Sequence, residues 1–474
     1  MIFTSLNFFV FLITTLCIFY VMPNKFRVTV LIIASAFFYM YEQAILILLL
    51  IFIITVNYFL SLFIEESQTK SRKKFYYYLG LLINIGVLVF FKYYNFIIEN
   101  ITYLTGCFNL KNPFPLLNII LPIGLSFFVF QSIGYLIDVF RGRHKAEKNF
   151  ADFTLFILFF PKLLVGPIER SKNFLPQLKQ KTYINNVDII LGSKLILWGL
   201  FRKLVVADRI STYTDVVFTN YTHHSGITMF VTILLYAIQL YADFSGYTDI
   251  ARGIARLFGF NLMQNFNRPF FAKSVSDFWR RWHISLSSWV NAYIYNPIVL
   301  NRRDWGNYGV VYALLISFTI IGIWHGATWN FVLFGFFQSI ALIFETITVK
   351  YRKKIAKRIP PIIYDNISLI LTFIFISLCL VFFRIPNFGD AKSIISRLFV
   401  GGDFFIGQPS TLLFMAFGIG VLFLCDLQDE YNILKKRFFN HQHWLIQQIA
   451  YSLLIISILL IGVFDGGQFI YFQF

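Results

Sequence analysis

The chain has 474 residues, 58% hydrophobic and only 14% charged, with 60 Phe, 26 Tyr and 8 Trp and a formal net charge of +18. Soluble domains carry about 25% charged residues and cannot hide so much apolar surface without exposing large patches, so these figures exclude an ordinary soluble domain and indicate a polytopic membrane protein; a mean hydropathy of +0.68 agrees. The basic residues lie between apolar runs and not in one patch, which argues against a nucleic-acid partner and matches the positive-inside pattern of a chain embedded in a lipid bilayer.

A bilayer core takes roughly 20 apolar residues per helix. Met1 to Tyr20 lacks a basic n-region and a small-residue cleavage site, so the first run, Asn7–Met22, is expected to be a retained span. Val28–Tyr41, the charge-free Ala44–Ile64, Phe75–Ile98 and Leu116–Ile137 follow. Phe150 to Pro167 is apolar but carries Pro161 and the turn-like Gly166-Pro167, and a re-entrant or interfacial piece fits it better than a crossing. Val187–Leu204 is less clean, since it contains Asp188, Lys194, Arg202 and Lys203. The later spans are Thr228–Tyr241, Tyr308–Trp324, Gly326–Thr348, Ile367–Phe383, Thr411–Cys425 and Leu445–Phe464. Basic clusters around Lys73, Arg143, Arg256, Lys353 and Lys436 then lie inside, consistent with about eleven or twelve crossings and, for twelve, both termini outside.

Between the spans, Ser276 to Tyr295 reads SVSDFWRRWHISLSSWVNAY. At helical spacing Phe278, Trp279, Trp282, Leu286, Trp289, Val290 and Tyr293 share one side, with Arg280, Arg281, Ser287, Ser288 and Asn291 mostly opposite. This predicts one amphipathic helix lying in the interface, its tryptophans at headgroup level. No long linker and no internal repeat divides the chain, so residues 1–474 read as a single membrane domain with a short aromatic tail over 465–474.

Ionisable residues inside a membrane are costly and suggest function by default. The sharpest is His325, in Trp324-His325-Gly326, which divides two apolar runs. A neutral imidazole suits a general base, and Gly326 would let a substrate come close; the plainer reading is a histidine hydrogen-bonded at a turn. His283 sits in the amphipathic segment, either anchoring it or serving as a second polar group near a substrate channel. Arg280 and Arg281 suit either lipid headgroups or a phosphate-bearing donor. Tyr241 to Asp249 (YADFSGYTD) is either a helix end with capping residues or the support of a polar cavity. His223-His224 and His441/His443 lie in polar loops and form no zinc motif, and Cys17, Cys107, Cys379 and Cys425 are far apart, so neither a metal site nor a disulfide framework is expected.

Taken together, these residues resemble the membrane-bound O-acyltransferase (MBOAT) superfamily, in its bacterial branch of alginate and peptidoglycan O-acetylation membrane subunits. The landmarks are LPIGLSFF from Leu121, FPK from Phe160, VGPIER from Val165, DFSGY from Asp243, NFNRPF from Asn265, FWRRWHISLS from Phe278 and WHG from Trp324, spread along most of the chain. The resemblance implies an all-α fold, a ring of transmembrane helices around a central funnel, with His325 as the catalytic histidine and His283 as a second polar landmark. It implies a bacterial cytoplasmic-membrane enzyme with no bound cofactor. The donor is an acyl thioester, acetyl-CoA above all; a separate extracytoplasmic SGNH-type transferase and a polysaccharide acceptor lie downstream. The tail Phe469-Ile470-Tyr471-Phe472-Gln473-Phe474 is similar to the tyrosine-bearing tail of this branch, with Tyr471 as a candidate acyl carrier; the alternative is an aromatic tail lying in the interface. Where many relatives read Arg-Asp-Tyr after the tryptophan, this chain has Val290-Asn291-Ala292-Tyr293, so the lining of the inner entrance departs from the pattern. Competing readings are a transporter or flippase of an envelope precursor and D-alanyl transfer to teichoic acid.

Overall fold

In the computed structural model, which describes residues 1–432, 443–464 and 469, every regular element among those residues is helical. Eight of these helices are long and apolar enough to cross a membrane, and Leu6–Val21 and Leu125–Phe140 are shorter apolar helices. This is a multi-pass membrane protein of the all-α class. Lipid leaves no water for exposed amides, so a spanning segment must satisfy its backbone within itself, as these helices do.

The chain folds as two compact units, Met1–Ser193 with Ala251–Met263, and Lys194–Ile250 with Gln264–Phe474. In the first, the Ala44–Glu66 and Lys70–Cys107 helices form a hairpin. Asn57 and Asn84 tie it together, each donating its amide to the other's oxygen at 3.2 and 2.8 Å in a buried position. Interhelical amide pairs of this kind hold membrane helices together where the hydrophobic effect offers little. The span expected from Leu116 becomes helical only at Leu125. Pro122 explains the late start, because it lacks an amide donor and biases the residue before it towards extended backbone. Phe150 to Pro167 folds as two short helices, Phe150–Leu158 and Phe160–Leu163, of nine and four residues, which are too short to cross.

The second unit contains the helical hairpin that carries His325, formed by Asn307–His325 and Trp329–Ala356. The helices pack backbone to backbone. A Cβ at Gly322 would lie 2.2 Å from the Phe331 carbonyl oxygen, and one at Gly335 would lie 2.2 Å from that of Phe318. Pro361–Arg384 and Pro409–Tyr431 follow in the same unit.

One expected element is corrected. Ser276 to Tyr295 is not a single helix. Val275–Arg281 ends at an extended Trp282, His283 takes the left-handed conformation (φ 44°, ψ 53°), and Ile284–Val290 starts afresh. The break is braced by the Asn265–Asn267 segment. Asn265 accepts from the Ile284 amide at 2.9 Å through its carbonyl and from the Ser285 amide at 3.1 Å through its side chain. The Asn267 amide donates to the Arg281 carbonyl at 2.9 Å. All seven residues of the predicted apolar side are buried within the protein.

Candidate active site

His325 closes the first helix of the hairpin and is 4% exposed. Its imidazole packs edge-on against Trp324 and Phe383, each with ring centroids at 5.0 Å, and against Phe334 at 6.1 Å. Gly326 has a different use from the one expected. A Cβ there would lie 2.1 Å from the Phe331 ring, so the glycine admits that ring and not a substrate.

The kink at Trp282–His283 turns the second histidine towards the first. A left-handed conformation costs a non-glycine residue of order 1–3 kcal/mol and persists where the surroundings impose it, often at functional sites. His283 is fully buried. Its ring lies 4.7 Å from Phe244, 5.7 Å from Trp324 and 6.4 Å from His325, and Ser285 Oγ is 3.5 Å from its Nδ1. Burial pushes its imidazole well below its usual pKa, which keeps it neutral. The structure thus brings His283 and His325 together.

Tyr471 and His441 lie outside the described residues. The tail does reach this neighbourhood at Phe469, a buried ring 5.8 Å from Phe244 and 4.8 Å from Tyr247. His223 and His224 sit at a short loop helix between two longer ones, away from either histidine's ring contacts.

YADFSGYTD is not a helix end. It lies inside the 32-residue Gly226–Leu257 helix, and its carboxylates hold buried cations. Lys203 Nζ lies 2.7 Å from Asp243 and 2.8 Å from Asp208. Arg202 lies 2.7 Å from Asp249 and 3.4 Å from Asp426, which also accepts from the Tyr241 hydroxyl at 2.8 Å. Both cations sit on the wide-turned π-helical stretch Phe201–Ala207, and π-helical stretches recur at functional sites. Two of the four charges that made Val187–Leu204 a poor span, Arg202 and Lys203, are therefore answered by Asp249 and Asp243 of YADFSGYTD, while Asp188 pairs with Arg256. Intramembrane charges pair, but which pairs form was not legible from the residues alone.

A cavity of about 710 Å³ in the same unit is lined among others by Trp279, Arg280, Ser317, Phe318, Glu345 and Arg352; Ile284, next in the chain to His283, is on its wall, while neither histidine lines it. The departing stretch after Trp289 contributes Val290, Asn291 and Tyr295 to the lining. Glu345 accepts from the Val275 and Ser276 amides at 2.7 and 3.0 Å, capping the short helix that carries Trp279. Trp279 donates its indole N–H to Gln338 at 3.0 Å. Of the two arginines singled out from sequence, Arg280 lines the cavity. Arg281 is instead held by Asp277 at 3.1 Å and by Glu430 at 2.9 Å.

Comparison with known proteins agrees with this architecture. The chain is 37% identical over 371 residues to a protein of Helicobacter pylori named peptidoglycan O-acetyltransferase, covering 72% of this chain and 68% of that one. It is 31% identical over 443 residues to a Pseudomonas aeruginosa protein named probable alginate O-acetylase AlgI, covering 93% and 82%. A Bacillus subtilis protein named teichoic acid D-alanyltransferase is 29% identical over 249 residues, covering 50% of this chain and 62% of its own length. Residues 75–385 match the family described as MBOAT, a stretch that includes both histidines and every lining residue of the cavity. The chain belongs to the membrane-bound O-acyltransferase family and is an acyltransferase of the membrane.

Proposed function

We propose that this enzyme moves an acetyl group from a cytoplasmic thioester, acetyl-CoA, across the bacterial inner membrane for O-acetylation of an extracytoplasmic polysaccharide. The observation that carries this reading is the buried pair of His283 and His325, in ring proximity at 6.4 Å, in the same unit as a roomy cavity whose wall carries arginines and Ile284, the residue after His283. The cavity is lined by Glu345, Val349 and Arg352, and Arg352 belongs to the basic run of residues 350–358, which the positive-inside rule assigns to the inner face. Arg280 and Arg352 suit the phosphates of a CoA-like donor.

In this mechanism His325 accepts the phenol proton of Tyr471. A phenol with pKa near 10 attacks poorly at neutral pH without such a base. The phenolate oxygen adds to the thioester carbonyl, the C–S bond breaks, and the leaving thiolate recovers the proton from the imidazolium. The acetyl ester of Tyr471 then passes by transesterification to an SGNH-type partner, which restores the phenol, and from that partner to a polysaccharide hydroxyl. Phe469 against Phe244, the ring that also packs on His283, supports a tail within reach of the site. Acetyl is favoured over D-alanyl because the relatives named for O-acetylation match 72% and 93% of this chain, against 50% for the one named for D-alanyl transfer.

The test is acetyl-CoA consumption by the purified chain. Loss of consumption in a correctly inserted His325→Ala variant is the expected result; unchanged consumption would remove His325 from the mechanism.

A further inference from the structure

Three phenylalanine rings pack on and around His325. Phe383 lies 5.0 Å from the imidazole, 5.1 Å from Phe331 and 5.7 Å from Phe334, in each case edge to face. Phe334 itself lies 6.1 Å from the imidazole. The three phenylalanines are between 2% and 4% exposed and come from two helices, Trp329–Ala356 and Pro361–Arg384. Phe331 fills the space left by the missing Gly326 side chain, and Phe383 is wedged between Phe331, Phe334 and the histidine.

The donor cavity meets this set through aromatic rings as well. Trp279 and Phe318 line the cavity with their rings 5.1 Å apart, and Trp279 is 6.4 Å from Phe334. A ring-to-ring path from the cavity wall to His325 thus runs from Trp279 to Phe334 and on to the imidazole, with Phe383 packed on both Phe334 and the histidine. A methyl group on the thioester's carbonyl carbon needs little room. Each further methylene must take space that a close-packed ring already holds, and interiors packed at crystal-like density resist even one extra methylene.

We propose that Phe334 and Phe383 are the acyl-size filter of this enzyme, holding the transferred group to two carbons by closing the space around His325. The inference rests on the reading of His325 as the transfer centre. It assigns the preference for acetyl to two positions outside the conspicuous motifs of the chain. A pocket that discriminates by one methylene does so by about 10- to 200-fold, so the filter separates acetyl from butyryl strongly.

The experiment measures consumption of acetyl-, butyryl- and hexanoyl-CoA by the purified full-length chain and by Phe383→Ala, Phe383→Leu and Phe334→Leu variants. Each variant is checked for monodispersity in detergent. The filter predicts a butyryl-to-acetyl ratio at least tenfold higher in Phe383→Ala, with smaller rises in the two leucine variants, which preserve more of the packing. Phe373→Leu, on the same helix as Phe383 but with its ring packed on Phe270 at 5.0 Å, leaves the ratio where it was. If Phe383→Ala does not fold, the leucine variants decide. Wild-type protein that consumes butyryl-CoA as fast as acetyl-CoA overturns the filter, and so does an unchanged ratio in every folded variant. Wild-type protein that consumes acetyl-CoA independently of His325 overturns the underlying reading instead, and the His325→Ala control separates the two failures.

Discussion

Lys203→Met puts the buried charge network to its hardest test. The ammonium lies between two carboxylates, 2.8 Å from Asp208 and 2.7 Å from Asp243, and the three side chains are 8%, 7% and 1% exposed. Methionine keeps most of the apolar stem of lysine and removes the ammonium with its charge and N–H donors. Breaking a buried ion pair from one side costs about 3–5 kcal/mol, because the surviving charge is left uncompensated. Here two carboxylates lose a partner at once, so the upper half of that range is expected. At 1.4 kcal/mol per tenfold, the folded-to-unfolded ratio falls by more than a hundredfold. The assay is the unfolding midpoint in detergent, compared with Asp243→Asn and with the double variant. If the pair is the source of the loss, the double variant is less damaged than the sum of the singles, by about 0.5–3 kcal/mol of coupling. A Lys203→Met protein with a wild-type midpoint, or strictly additive losses, would refute the idea that these residues form one coupled unit.

Other outcomes follow from the same geometry. Tyr471→Phe keeps an aromatic tail but removes the hydroxyl; transfer to acceptor is expected to fall to background, and full activity would eliminate the acyl-tyrosine step. Arg280→Ala with Arg352→Ala should raise the KM for acetyl-CoA more than it lowers kcat, measured by thioester consumption, since both residues line the donor cavity and neither is among the rings around His325. Gly335→Val should block insertion or abolish monodispersity, read by gel filtration, because even the first carbon of its side chain would lie 2.2 Å from the Phe318 carbonyl oxygen. For pH, the folded pKa of His283 lies below its unfolded value near 6.5. The unfolded chain therefore binds the proton more readily, and the stability contributed by neutral His283 is present above that unfolded value and lost as pH falls below it. A His283→Gln variant should show a shallower acid loss of its unfolding midpoint than wild type between pH 6.5 and 4, and an identical slope would contradict a buried neutral histidine.

Much of the architecture was open to reading from residue order, for physical reasons. Long charge-free runs such as Ala44 to Ile64 have one stable solution in lipid, and the structure places a helix there. The two histidines stood out because each polar group interrupts an apolar segment. What was hidden depends on long-range contacts. The period of Ser276 to Tyr295 is helical throughout, yet Asn265 captures the Ile284 and Ser285 amides and breaks the helix at His283. Local periodicity cannot report a competing backbone partner many residues upstream. Likewise Asp243 and Asp249 look like capping residues until Arg202 and Lys203 are seen opposite them. Phe331, Phe334 and Phe383 are three among 60 phenylalanines, and nothing in their local sequence marks them as the rings on and around His325.

The central claim is that His325 drives passage of an acetyl group from a thioester onto the enzyme's own tail. It is tested most directly by incubating purified protein with acetyl-CoA in the absence of acceptor, quenching in acid and mapping acetylated peptides by mass spectrometry. The expected result is the mass of one acetyl group on Tyr471 in the wild-type chain and none in His325→Ala. The same adduct at the same level in the His325→Ala protein would contradict the claim.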